Sequence, residues 1–399
     1  MVQYSVGAWW SLLCPAPSCV FEQYSWYRVL VQLYGIELYA SPPRESPRVG
    51  FHSWPSLGCV MEVLVLSLAI GLVHPSGSID RRTLLATAAG AKPLASLAAA
   101  SELLPIRGKI AGGALPLGVG LGTCLVGDGV VPRTVALGID AGYRVFDSAQ
   151  KYGNEAGVGK ALKQAIASGL VQREELFVTT KVWVDNMGYD NTLASVRESA
   201  AKLGVGPIDL VLIHWPGQFV ARGKGDADRL NSLLRRDTWK ALEALRKEGS
   251  VSQVGISNFS ERHTRELLSF ASTRPAVNQF EVHPYNTRSS LVALCQTEGI
   301  TVNSYCPLGG KGNKGQVTDL LLKDAVIKQV AAAHDKTAAQ VILRWHLQHG
   351  LTPIPKASSK AHIRENYDLY DFALSTDEMR KIDGLNRDQF ALFDADVLA

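Results

Sequence analysis

Asp147, Tyr152, Lys181 and His214 stand at or just beyond the ends of three successive apolar runs, Tyr143–Asp147, Leu176–Lys181 and Ile208–His214. A carboxylate, a phenol, an ammonium and an imidazole are side chains that move protons to and from oxygen. Taken singly, each has an ordinary explanation: the Asp as a helix cap, the Tyr as a packing residue, the Lys as a solvated charge, the His as a satisfied buried donor. Their coincidence on consecutive segments argues otherwise. An Asp and a Lys placed directly after apolar strands are costly to bury unless paired, so Asp147 and Lys181 are expected to meet. A free phenol has a pKa of about 10, and an ammonium held beside it favours the phenolate and lowers that value.

The elements that must bring these groups together read as strand, loop and helix in alternation. Strand-like runs occupy Leu117–Gly122, Tyr143–Asp147, Leu176–Lys181, Ile208–His214, Val251–Ser257, Ala276–Glu281, Ile300–Tyr305 and Leu351–Lys356, with amphipathic helical patterns between them. Eight such units imply right-handed crossovers, a parallel sheet and a closed (β/α)8 barrel, an α/β fold whose site lies at the carboxyl ends of the strands. The rival is a doubly wound open sheet, which would carry GxGxxG after its first strand. Here Gly118, Gly120 and Gly122 have the wrong spacing and no helix start follows, so that fingerprint fails.

The segments FDSAQKYGNE, TTKVW, IHWP, GISNF, NQFEVHP and IPKAS, in this order, resemble the aldo-keto reductase family across residues 110–390. The resemblance implies the barrel and a catalytic tetrad of Asp147, Tyr152, Lys181 and His214. Carbonyl reduction by hydride needs a proton donor aimed at the oxygen where negative charge develops, and a phenol can fill that role. Asp147 would hold Lys181 charged and oriented, and His214 would hydrogen-bond the substrate oxygen. Short-chain dehydrogenases also use Tyr and Lys, but in a YxxxK helix, and the fourth residue after Tyr152 is Ala156.

The resemblance further implies NADPH or NADP+ as cofactor, with Ser257, Asn258 and Gln279 on the nicotinamide carboxamide and Tyr305 stacked on its face. Tyr305 alone would read as packing, and Asn258 and Gln279 as turn and cap residues. At the adenosine end Lys356, Glu365 and Asn366 match the family pattern, whereas Ala357 replaces a Ser and His362 stands in the place of an Arg. Arg is permanently charged and bidentate, so His362 predicts a weakened 2′-phosphate preference and makes NADH use possible. Ser358, Lys360 or Arg364 are candidates to compensate, helped by a helix N-terminus near residue 359.

Trp183 and Trp215, directly after the tetrad strands, are expected to wall an apolar pocket for a small carbonyl substrate, which His214 also contacts. The loop Gly217–Arg236 carries Arg222, Lys224, Arg229, Arg235 and Arg236 beside Asp226 and Asp228, and reads as solvated. The short tail from Asn386 to Ala399 predicts an open pocket. Two functions fit: reduction of aldehydes and ketones to alcohols without a metal, or an NADPH-binding regulatory or redox-sensing barrel with little turnover.

Composition agrees with a soluble globular chain of 399 residues, 46% hydrophobic and 20% charged. A net charge of +4 lacks the basic stripe of a nucleic-acid binder, nothing demands assembly beyond a monomer, and six cysteines without CxxC spacing read as thiols. Residues 1–104 form a separate extension, poorly structured by pattern, and 105–399 the barrel domain. Within the extension Val63–Val73 is an apolar run of signal length after Met61, too short to span a bilayer comfortably; it is followed by Arg81-Arg82 and an Ala98-Ala99-Ala100 cleavage-like site. Three readings fit: a stacked plastid-type presequence, an ordinary export signal behind untranslated sequence, or an alanine-rich helix capping the barrel. Location is accordingly either cytoplasmic or an organelle.

Overall fold

The computed structural model describes residues 118–219, 226–310 and 316–392, together with Asp394, Val397 and Leu398. The expectations for residues 1–104 and for the boundary at 104/105 lie outside the described residues. Eight strands follow one another around a parallel sheet in chain order: β1 Leu121–Gly122, β2 Val145–Asp147, β3 Phe177–Val182, β4 Ile208–Ile213, β5 Val251–Ser257, β6 Val277–Glu281, β7 Thr301–Tyr305 and β8 Thr352–Ile354. The first and last strands meet, because the Gly120 and Gly122 N–H groups donate to the Pro353 and Pro355 carbonyls at 2.9 and 3.1 Å. The (β/α)8 barrel read from the periodicity is therefore the fold.

Helices α1 Val131–Ala141, α2 Glu155–Ala167, α3 Tyr189–Leu203, α4 Asp226–Lys247, α5 Glu261–Phe270 and α6 Ser289–Thr297 follow β1 to β6 in turn. Between β7 and β8 lie α7 Gln316–Lys323, α8 Ala325–His334 and α9 Ala338–Gln348, and after β8 come α10 Lys360–Tyr367 and α11 Thr376–Asp383. Local chemistry sets the ends. α1 begins with a proline in its first turn and stops at Gly142, whose φ of 110° suits only a residue without a Cβ. The Thr337 and Gln340 side chains form a reciprocal capping box at the start of α9.

The strand period of two sorts the side chains. On β4, Leu210 and Leu212 join Val145, Phe177 and Val277 in a small interior cluster, while Val211 and Ile213 join the large cluster between strands and helices. On the same inward parity, toward the carboxyl ends, follow Asp147 after Val145, Lys181 after Phe177, His214 after Leu212 and Gln279 after Val277. The interior thus has an apolar floor with a polar layer above it. β1 and β8 are shorter than the runs Leu117–Gly122 and Leu351–Lys356; Pro353 removes a ladder donor within β8 and Pro355 one just beyond it.

Among the described residues no helix is long and apolar enough to cross a membrane, and no group of three or more His, Cys, Asp or Glu is placed to hold a metal. Cys124, Cys295 and Cys306 are free thiols.

The interior leaves no room at Gly255, where a Cβ would lie 2.6 Å from the Val277 carbonyl oxygen and 2.7 Å from Leu212 Cδ2. Backbone cannot retreat as a flexible side chain can. Gly255→Ala is expected to lower unfolding free energy by about 1–3 kcal/mol in urea titrations, and an unchanged midpoint would show that the floor yields.

Candidate active site

Lys181 is the centre of the polar layer. Its ammonium, fully buried on β3, donates to Asp147 Oδ1 at 2.6 Å, to the Ser148 carbonyl at 2.9 Å and to the Tyr152 hydroxyl at 3.4 Å. The second carboxylate oxygen, Asp147 Oδ2, accepts from the Gln279 amide of β6 at 2.8 Å. The pairing of Asp147 with Lys181 expected from burial cost is present.

Tyr152 closes a 3₁₀ turn, Gln150–Tyr152, that ends on Gly153 at φ 64°. The residues that follow anchor this turn. The buried Asn154 side chain accepts from Ser148 Oγ at 2.8 Å and donates to the Thr123 and Val126 carbonyls at 2.9 and 2.8 Å, so the loop after β1 is tied to the turn after β2. Gln150 ties it to β3: its Oε1 accepts from the Trp183 N–H at 2.9 Å and from the Asn186 amide at 2.8 Å.

Burial pushes the Tyr152 phenol well above its ordinary value, and the Asp147 carboxylate pushes the same way. The direction is opposite to the lowering expected from a neighbouring lysine: although Tyr152 is partly exposed, the loss of hydration at its hydroxyl and the Asp147 charge dominate. The protonated phenol is the form a proton donor needs. His214 is 8% exposed, and burial followed by the Lys181 charge pulls its imidazole well below the ordinary histidine range. Neutral at physiological pH, it stands edge-on to the Tyr152 ring at 5.7 Å and to Trp183 at 5.2 Å. Two neutral donors therefore flank one compensated ion pair.

Beside them, Asn258 adopts a φ of 62°, a left-handed conformation that Asn tolerates better than most residues. Its amide nitrogen donates to the His214 carbonyl at 2.9 Å and to Ser257 Oγ at 3.2 Å, and its oxygen accepts from the Tyr305 hydroxyl at 2.6 Å. β4, β5 and β7 are thereby joined at their carboxyl ends. Gln279 is engaged with Asp147 and Asn258 with its neighbours, so the two amides anticipated as cofactor contacts also brace the site.

The structure brings Asp147, Tyr152, Lys181, His214 and Gln279 together, with Ser257, Asn258 and Tyr305 adjoining. Lys356, Ser358 and His362 lie apart from this network, exposed on the segment from β8 to α10. There Ser359 caps α10 by accepting from the His362 N–H at 3.2 Å, Asn366 is buried and Glu365 half-buried, and Ala357 is packed in the core. Trp183 and Trp215 are half-buried, and Phe219 bridges them with ring centroids 5.8 and 5.3 Å away.

Phe219, Gln150 and Glu281 were not singled out by sequence reasoning. Gln150 and Glu281 sit inside the motifs that carry the resemblance, but Phe219 lies in a loop read only for its charges. Glu281, buried on β6, accepts from the backbone N–H groups of Ala391 and Leu392 at 2.6 and 3.0 Å and contacts His283 Nε2 at 3.1 Å. Short as it is, the tail is pinned to the barrel mouth, with Phe390 lining a cleft beside Asn258 and Tyr305.

A family model described as "Aldo/keto reductase family" matches residues 119–387. A glyoxal reductase of Bacillus subtilis is 43% identical over 271 residues, covering 68% of this chain and 89% of that protein. A 9,11-endoperoxide prostaglandin H2 reductase of Trypanosoma cruzi is 42% identical over 274 residues, covering 68% and 88%. The crystal structure of a Bombyx mori aldo-keto reductase in complex with NADP superposes with a TM-score of 0.65 at 35% identity, covering 74% of this chain and 97% of that one.

Lys181→Met would leave the Asp147 carboxylate buried without its counter-ion, and a loss of about 3–5 kcal/mol in chemical unfolding is expected. Adding Asp147→Asn should restore part of that loss. If the double variant is no more stable than the single, the two charges are not coupled as their geometry requires.

Proposed function

Because the chain belongs to the aldo/keto reductase family, we propose that it is an NADPH-dependent oxidoreductase that reduces aldehydes and ketones to alcohols, with Tyr152 as general acid. The observation that carries this reading is the Lys181 ammonium shared between Asp147 and Tyr152, with His214 set between Tyr152 and Trp183. The relatives named for reduction of glyoxal and of a prostaglandin endoperoxide, and the relative that binds NADP, support it.

The residues present fit the cofactor. Ser257, Asn258 and Gln279 are buried polar groups beside Tyr152, and the Tyr305 ring is fixed by its hydroxyl bond to Asn258. Lys356, Ser358 and His362 stand exposed around the N-terminus of α10, where an anion is favoured, with Glu365 and Asn366 one turn further on. When bound, NADPH supplies the hydride that reaches the carbonyl carbon.

The protein's own part is the proton and the geometry. The Tyr152 hydroxyl delivers its proton to the substrate oxygen as negative charge develops there. The Lys181 ammonium stabilises the phenolate left behind, and Asp147 keeps that ammonium charged and aimed. Neutral His214 orients the carbonyl by hydrogen bonding, and the aromatic groups Trp183, Trp215 and Phe219 exclude water around it.

Tyr152→Phe is expected to lower kcat for a small aldehyde by about 100-fold or more while NADPH affinity, read by quenching of protein fluorescence, stays within about twofold. Unchanged turnover would remove Tyr152 from the acid role. In the unmodified protein kcat/KM with NADPH should exceed that with NADH by more than about tenfold, equivalent to about 1.4 kcal/mol. A smaller ratio would mean that Lys356 and its neighbours do not read the 2′-phosphate.

A further inference from the structure

We propose that Lys151 makes this site selective for aldehydes and ketones that carry a carboxylate, by holding an ammonium over the Trp183 wall one residue from Tyr152. The proposal rests on the reductase reading above and names the substrate class that reading leaves open. Lys151 is exposed, and its Nζ lies 4.7 Å from the Trp183 ring centroid. The same ring stands nearly perpendicular to His214 with centroids 5.2 Å apart, so the cation and the imidazole both contact Trp183.

The turn is held by the side chain that precedes Lys151. Gln150, the residue before Lys151, accepts the Trp183 N–H at 2.9 Å and the Asn186 amide at 2.8 Å, and donates to Ser199 Oγ at 3.2 Å. The turn carrying Lys151 and Tyr152 is thereby locked to the segment carrying Trp183. A charge on that turn is presented at the rim by the same bonds that set the proton donor.

The charge is also uncommitted. Among the described residues Lys151 forms no ion pair, and Asp185, exposed on the turn Val184–Asn186, does not pair with it. Lys181 by contrast is spent on Asp147. Among the described residues, Lys151 is the cation that stands on the Trp183 ring. A carboxylate some atoms from the carbonyl can rest beside this ammonium while the carbonyl oxygen reaches Tyr152 and His214. An attraction between partly solvated charges is modest and screened by salt, which sets the size of the effect.

The test uses the full-length protein with NADPH and two aldehydes of similar shape, 4-carboxybenzaldehyde and 4-methylbenzaldehyde. The readout is the ratio of their kcat/KM values, which cancels general damage to the site. In Lys151→Met the carboxylate-to-methyl ratio should fall about three- to tenfold, in Lys151→Glu further, and Lys151→Arg should keep it. Raising ionic strength to about 0.5 M should narrow the ratio in the unmodified protein and leave that of Lys151→Met little changed. A ratio unaltered in Lys151→Met, or lost equally in Lys151→Arg, with both aldehydes turned over, overturns this proposal alone. Absence of turnover for any aldehyde in the unmodified protein overturns the reductase reading and this proposal with it.

Discussion

The Lys181–Asp147 ion pair at the carboxyl end of the barrel is the constraint on which the rest of the site depends. Each ion taken out of water costs several kcal/mol, and a buried pair is tolerated only when the remaining donors and acceptors are filled. An ammonium has three protons to give. Here they go to Asp147, to the Ser148 carbonyl and to the Tyr152 hydroxyl, and the other carboxylate oxygen is taken by Gln279. The phenol is therefore positioned as the third ligand of a buried cation. Strands β2, β3 and β6 cannot shift relative to one another without leaving one of these groups bare.

This arrangement decides the protonation of its neighbours. Burial favours the protonated Tyr152 phenol and the neutral His214 imidazole, so in the proposed reaction the substrate oxygen would meet two neutral donors rather than a cation and an anion. Such donors impose little charge on the ground state. The ammonium behind the phenol would gain most when the proton has left, which is the direction in which a barrier to proton delivery is lowered.

The barrel and the meeting of Asp147 with Lys181 could be read from sequence because both follow from short-range rules. The apolar runs put Asp147, Lys181 and His214 at the ends of three successive strands, and burial cost alone paired the Asp with the Lys. What could not be read depends on distances between remote segments. The direction of the Tyr152 shift required knowing how far the phenol hydroxyl is enclosed, as well as which charges lie beside it. Phe219 joins the aromatic wall only because the loop after β4 folds back on Trp183 and Trp215. Glu281 looked like a strand end and proved to be the acceptor that pins Ala391 and Leu392 more than a hundred residues away. The shortness of β1 and β8 reflects Gly118, Gly120, Pro353 and Pro355, which suit a seam better than a long strand.

Depth also divides the labour among the charges. Those that would do chemistry, Asp147 and Lys181, are buried and over-determined by hydrogen bonds, so their geometry tolerates little variation. Those that would choose a partner, Lys151 at the substrate rim and Lys356 near α10, are exposed and screened. An exposed ion pair is worth about 0–1 kcal/mol, less than the 1.4 kcal/mol that separates two ligands tenfold. A single surface cation therefore tunes preference without commanding it, and strong discrimination needs several groups to converge. In the proposed cofactor site, with a His at position 362 and a core-packed alanine at 357, that convergence would fall on Lys356, Ser358 and the N–H groups opening α10. The reaction can thus stay constant on a rigid polar layer while exposed residues around the mouth change which molecules it meets.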